Sequence, residues 1–95
     1  MISIPKIQEA VKKIAPEYSI KTVNVFGSYA EGTANSNSDV DILVEFTVPA
    51  VSLLTLTSLK YRLESELNTS VDVIHGPLRE DSMITLGKVV PVYEQ

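Results

Sequence analysis

Three carboxylates and one glycine-serine turn are the residues in this chain best suited to chemistry. Asp39 and Asp41 stand one position apart in Ser38-Asp39-Val40-Asp41-Ile42-Leu43-Val44-Glu45-Phe46. The β-branched content and alternation of this stretch predict a strand over 38–46. On a strand, residues i and i+2 share a face, so both carboxylates project together, with Leu43 and Glu45 further along. Val40, Ile42, Val44 and Phe46 then fill the opposite face. Two adjacent carboxylates repel each other and raise one pKa unless a cation lies between them. Hard oxygen donors at this spacing suit Mg²⁺, or alternatively Mn²⁺, ions that bridge carboxylates to phosphates. A third acid, Asp72, lies in Ser70-Val71-Asp72-Val73-Ile74. The chain has four aspartates, and three fall in strand-like stretches where aspartate is disfavoured. Three carboxylates and two metal ions make a two-metal arrangement for in-line phosphoryl or nucleotidyl transfer, with Asp72 nearest the attacking hydroxyl.

The turn supplies the complementary half. Lys21-Thr22-Val23-Asn24-Val25-Phe26 reads as a short strand, placed at 20–26, that runs into Gly27-Ser28. A strand ending in a glycine that opens a helix presents backbone N–H groups to an anion. Gly27 lets a phosphate approach the backbone, and Ser28 can cap the helix or donate to a phosphate oxygen. Gly32 and the run Asn35-Ser36-Asn37-Ser38 limit that helix to residues 27–32. A phosphate cradle and a metal pair on neighbouring strands describe a nucleotide site.

Gly27-Ser28, Gly32 and Ser38-Asp39-Val40-Asp41-Ile42-Leu43-Val44 together resemble the signature of the nucleotidyltransferase superfamily that includes DNA polymerase beta and kanamycin nucleotidyltransferase. The length resembles its minimal members, the MNT-domain proteins. The likeness extends through Ser52–Leu67 and Val71-Asp72-Val73-Ile74, where that family has its middle helix and third-carboxylate strand. It continues into the tail from Leu78-Arg79 to Val92-Tyr93-Glu94. The resemblance implies that Asp39 and Asp41 hold two Mg²⁺ ions and that Asp72 holds the second ion and helps deprotonate the acceptor. It implies that Gly27 and Ser28 bind the β- and γ-phosphates of ATP, and that AMP passes to a hydroxyl. It further implies a partner, a HEPN-type ribonuclease toxin whose tyrosine is adenylylated, with this chain as the antitoxin in a hetero-oligomer; the cytoplasm is the default location for a chain without cysteine, leader or membrane-spanning run. Two alternatives stay open: an antitoxin that acts by occlusion without catalysis, and a subunit of an antibiotic-type adenylyltransferase. One departure stands out. Many members carry arginine where this chain has Glu31, which puts an acid beside the cradle.

The elements that must position these residues follow from the rest of the chain. Ninety-five residues imply one domain, 1–95, small but able to bury a core. Hydrophobic content of 44% and charged content of 21% describe an ordinary globular chain. Cysteine is absent, which excludes disulfides and thiolate metal sites. No apolar run is long enough to span a membrane, and no basic, apolar leader opens the chain. A net charge of −4 with eight basic residues argues against direct nucleic-acid binding. Ser3 and Pro5 predict a helix start, with Ile4, Ile7, Val11 and Ile14 on one face and Pro16 as the stop. Ser52 predicts the cap of a second helix, along which Leu53, Leu56, Leu59, Leu63 and Leu67 form the core stripe. Lys60 and Arg62 are expected to face water. A third strand is expected at 70–75 and a last helix over Leu78–Val89, with Val89–Tyr93 extended as the alternative. His75, the single histidine, reads as structural or exposed rather than catalytic. Tyr29 could either stack on a base or fill a gap. The expected fold is a small α/β nucleotidyltransferase fold. Its mixed three- to four-stranded sheet carries helices on one face and the carboxylates on the other.

Overall fold

A computed structural model describes residues 2–76 and 87–95. The elements in chain order are α1 (Ile4–Ile14), β1 (Ile20–Phe26), α2 (Ser28–Glu31), β2 (Val40–Phe46), α3 (Leu53–Leu67), β3 (Val71–His75) and β4 (Val90–Glu94). The predicted last helix falls largely on residues 77–86, which lie outside the described residues, as does Arg79. Residues 87–89 are not helical, and the extended alternative holds as β4.

The four strands form one sheet in the order β3-β2-β1-β4. β1 pairs antiparallel with both β2 and β4, and β2 pairs parallel with β3. The parallel pair needs a crossover, and α3 provides it. In the β1/β2 ladder Phe26 pairs with Asp41 and Val25 with Ile42. The register shifts between Ile20 and Thr22, so Lys21 is the extra residue of a bulge. That bulge lets Ile20, Val23 and Val25 all turn inward although their spacing is not strictly alternate.

Helices α1 and α3 cover the inner face. Ser3 Oγ accepts from Lys6 N at 3.3 Å, and Ser52 Oγ accepts from Thr55 N at 3.1 Å, so both predicted caps form. α1 buries Ile7, Ala10, Val11 and Ile14. Pro16 does not stop the chain at once; Ala15–Glu17 tightens into a single 3₁₀ turn. α3 buries Leu59, Leu63 and Leu67 against Val40, Ile42, Val44 and Val71. Each such side chain contributes roughly 1.5–3 kcal/mol by leaving water. Leu53 was expected in this stripe but is 78% exposed, as Leu54 is at 82%. The first turn of α3 follows the loop beyond Phe46, and its side chains are left uncovered by the core that buries Leu59, Leu63 and Leu67. A groove of about 480 Å³ lies there, lined by Tyr18, Val48, Val51 and Leu54.

Lys60 and Arg62 do not simply face water. Arg62 makes a two-pronged pair with Glu17 at 3.2 and 2.8 Å, tying α3 to the 3₁₀ turn. Lys60 Nζ lies 2.7 Å from Glu64 Oε2.

Candidate active site

Antiparallel pairing places Asp41 beside Phe26, the last residue before the Gly27 turn. Parallel pairing places Asp41 beside Asp72. Phe26, Asp41 and Asp72 therefore lie on the same outer face, because paired residues in a sheet share a side. The tertiary structure therefore brings one carboxylate from β2 and one from β3 together at the end of β1 where the turn begins. Asp41 is partly buried, whereas Asp39 and Asp72 are exposed.

Asp39 departs from expectation in detail. The strand begins at Val40, so Asp39 lies in the lead-in and not in the ladder. The reason is the tight turn before it. Asn35 Oδ1 accepts from Asn37 N at 2.8 Å, Asn35 N donates to Ser38 Oγ at 2.9 Å, and Ser38 N donates to Asn35 O at 3.0 Å. This Asx-type turn occupies Ser38 and delays the ladder by two residues. Asp39 remains close enough for its charge to act on Asp41. Asp41 holds its proton above the usual aspartate range, first through burial, then through Asp72 and Asp39, and last through a hydrogen bond shared with Asp72.

Among the described residues no three His, Cys, Asp or Glu side chains form a ready-made metal cage. The donor set nevertheless fits a hard cation. Asp41 and Asp72 are register partners on adjacent strands, close enough for the Asp72 charge to raise the pKa of Asp41, and a divalent cation between them would relieve that repulsion.

The turn is built around the same aspartate. Gly27 has φ 71° and ψ −151°, a region that a side chain disfavours. A Cβ on Gly27 would also run into Asp41 Oδ2 and stand 3.3 Å from Asp41 Cγ. Glycine is thus needed here by the backbone and by the carboxylate packed against it. Gly27, not Ser28, occupies the N-cap position of α2, and it makes no side-chain cap bond. The expectation that Ser28 caps the helix is corrected: Ser28 is its first residue. Glu31 N donates to Gly27 O at 3.0 Å, and Gly32 N and Thr33 N both donate to Ser28 O, which closes the turn. The N–H groups of Ser28, Tyr29 and Ala30 precede Glu31 and have no partner within the helix. A four-residue helix has little macrodipole, so this turn offers discrete N–H groups and one hydroxyl. Gly32, at φ 76°, ends the helix in the left-handed conformation.

Several further expectations are decided here. Tyr29 is 8% exposed and belongs to the core, so it fills a gap in packing. His75 packs edge-on against Phe46 with ring centroids 5.3 Å apart, at the end of the sheet away from Asp41. Glu31 is exposed, and its Oε1 would lie 3.1 Å from a Cβ on Gly87, so it stands beside the chain returning to β4. Leu43 shares the acid face by alternation yet is 6% exposed, and Gly76 lies against it, so that a Cβ there would stand 3.1 Å from Leu43 Cδ1. Two contributors escaped the sequence reading. The Asx turn was legible in the Asn-Ser run, although its bonding was not. Glu64 Oε2 accepts from Val71 N at 3.0 Å, immediately before Asp72, and nothing local signals that bond.

Residues 4–90 match the nucleotidyltransferase domain family. The chain belongs to that family. Two relatives carry the match across most of their length. MJ0435 of Methanocaldococcus jannaschii, provisionally named a protein adenylyltransferase, is 45% identical over 71 residues, covering 72% of this chain and 75% of the relative. The protein adenylyltransferase MntA of Thermococcus cleftensis is 35% identical over 79 residues, covering 78% of each. Among solved structures, the complex of a tri-AMPylated Shewanella oneidensis HEPN toxin with an MNT antitoxin contains a similar fold. Its TM-score is 0.71 at 16% identity, covering 97% of this chain and 73% of that one. The chain is thus a nucleotidyltransferase, and its mixed sheet with helices on one face is the fold expected. Nucleotidyltransferases generally use a divalent metal. Among the described residues no helix is long and apolar enough to cross a membrane.

Proposed function

We propose that this chain, acting as one nucleotidyltransferase domain over 1–95, transfers AMP from ATP to a tyrosine hydroxyl of a HEPN-type toxin. It would thereby serve as the antitoxin of a cytoplasmic pair. The observation that carries the reading is the register of Asp41 with Asp72 on the face opposite α1 and α3, with Gly27 packed against Asp41. The names of the relatives support the reaction class, and the Shewanella complex supports the partner.

In this reading Asp39, Asp41 and Asp72 are the residues that would hold two Mg²⁺ ions, whose charge would offset that of the phosphates. Gly27 allows the triphosphate to approach the backbone, and the Ser28 hydroxyl and the neighbouring N–H groups donate to its oxygens. The acceptor oxygen attacks the α-phosphorus, a new P–O bond forms, and pyrophosphate leaves with the electrons of the broken bond. Asp72, the more exposed partner of the Asp41 pair, receives the acceptor's proton. Asp39 and Asp72 are exposed, so an acceptor can reach them from solvent, and in this reading the partner that carries the acceptor holds it in place.

A second reading, neutralisation by occlusion, is favoured by one observation. Val48, Leu53 and Leu54 are exposed at the end of the sheet away from the carboxylates, where the transfer chemistry has no use for them. One experiment separates the two. Purified toxin is incubated with the chain, Mg²⁺ and ATP labelled on the α-phosphate, with wild type run beside Asp39→Asn and Asp41→Asn. Transfer predicts label in the toxin with wild type alone, and loss of neutralisation in both variants. Neutralisation that survives both substitutions, with no label in the toxin, refutes the enzymatic reading and supports occlusion.

A further inference from the structure

Among the described residues β3 is an edge strand, paired with β2 on one side only. Its inner side is set by two bonds: Val40 N donates to Ser70 O at 2.9 Å, and Gly76 N donates to Val44 O at 2.7 Å. In a parallel ladder alternate residues turn their backbone groups to the same neighbour. Residues 70, 72, 74 and 76 therefore face β2, and the N–H of Val71 points off the sheet. Such an edge amide is ordinarily left to water. Here Glu64 Oε2, reaching from α3, accepts from it at 3.0 Å. The same oxygen accepts from Lys60 Nζ at 2.7 Å, one turn back along α3. The Glu64 side chain is 23% exposed, so the arrangement is sheltered rather than a loose surface pair.

The residue so held is the immediate neighbour of Asp72. Among the described residues β3 has a strand on only one side, and without Glu64 its first peptide would be anchored there by the β2 ladder alone. A strand start anchored on one side can twist or fray, and the side chain one residue on moves with it. The Asp41–Asp72 pairing depends on that side chain staying opposite β2.

We propose that Glu64 is a positioning residue for the site: by fixing the start of β3 it sets Asp72 opposite Asp41 in the geometry a divalent ion requires. This rests on the reading of Asp72 as a metal-holding residue. Lys60 serves Glu64 in turn, keeping it ionised and aimed at Val71. The Glu64 pKa is lowered from the usual glutamate range, first by the hydrogen bond from Lys60 and then by that from Val71.

The test uses the full chain and Mn²⁺ alone, with bound ion measured by electron paramagnetic resonance. Wild type, Glu64→Ala, Glu64→Gln and Asp72→Asn are compared. Glu64→Ala should weaken Mn²⁺ binding about ten-fold, the lower end of what loss of a supporting contact costs, while Glu64→Gln stays within about two-fold because its amide oxygen still accepts from Val71. Glu64→Ala added to Asp72→Asn should cost nothing beyond Asp72→Asn alone, because Glu64 acts through Asp72. The Val71 amide of wild type should also exchange slowly with solvent, a readout that needs no variant to fold. Wild-type Mn²⁺ affinity in Glu64→Ala, with Asp72→Asn weakened, overturns the proposal and leaves Asp72 as a ligand. Equal affinity in wild type and Asp72→Asn overturns the reading of Asp72 itself. Equal losses in the alanine and glutamine variants, or rapid exchange at Val71 in wild type, also overturn the positioning role.

Discussion

Replacing Asp41 by asparagine should make the metal-free protein more stable while removing its transfer activity. Asn keeps the shape of the side chain, so packing against Gly27 is preserved and the change is one of charge. Neighbouring strands lie about 4.8 Å apart, which sets the scale of separation between the register partners Asp41 and Asp72. Two unit charges near that distance repel by about 4 kcal/mol at a surface-like dielectric and about 1 kcal/mol in water. Asp72 is exposed and Asp41 only partly buried, so the value near water applies, and the expected gain is about 1 kcal/mol. For a domain of this size that corresponds to ~4–8 °C in melting temperature. The sign with pH follows from the raised pKa of Asp41, an acid that folding makes harder to ionise, chiefly by burial. Its contribution favours the fold at low pH and is lost as pH rises from the ordinary aspartate range through the raised value. The difference between variant and wild type should therefore be small in acid and full at neutral pH. The assay is thermal unfolding followed by circular dichroism, in chelator and then in Mg²⁺. Mg²⁺ should raise the wild-type transition and leave the variant nearly unmoved. A variant that melts below wild type in chelator at neutral pH would refute the reasoning, because Asp41 would then be a stabilising residue rather than one kept at a cost for its charge.

Other outcomes follow from the same geometry. Gly27→Ala should destabilise by about 2 kcal/mol or more and abolish transfer, since it combines left-handed strain with collision against Asp41, whereas Gly32→Ala meets no atom within 4 Å and should cost about 1 kcal/mol; equal costs by denaturant unfolding would show that the Asp41 contact is unimportant. Ser28→Ala should leave stability unchanged and lower kcat/KM for ATP about ten-fold, the loss of one hydrogen bond to a charged group; wild-type kinetics would remove Ser28 from the phosphate site. Leu63→Ala, in the centre of α3 and 2% exposed, should cost about 2–5 kcal/mol without changing transfer per folded molecule, as read by urea unfolding beside an active-site titration.

What the sequence determined by itself is local. The Gly27-Ser28 turn, the alternation through Asp41, the caps at Ser3 and Ser52 and the stripe at Leu59, Leu63 and Leu67 all follow from short-range periodicity and turn chemistry. The same information placed Asp39, Asp41 and Asp72 as candidates, because acids are out of place in apolar strands. It could not separate Leu53 from Leu59, since both lie on one helical stripe and only the packing of the core decides which is covered. It placed Asp39 inside the strand because the side-chain bonds of Asn35 and Ser38 compete with the ladder, and that competition is settled in three dimensions.

Pairing belongs to the tertiary structure alone. Asp41 and Asp72 are far apart in the chain and meet because β2 and β3 run parallel in one register, which the α3 crossover permits. A slip of one residue would turn Asp72 to the helical face. The requirement for glycine at 27 likewise comes from a carboxylate on another strand, and the anchoring of Val71 comes from a helix that local sequence assigns only to the core. Local sequence sets which residues can ionise, turn or pack; the sheet decides which of them stand close enough to share a charge, because electrostatic interaction depends on distance in space and not along the chain.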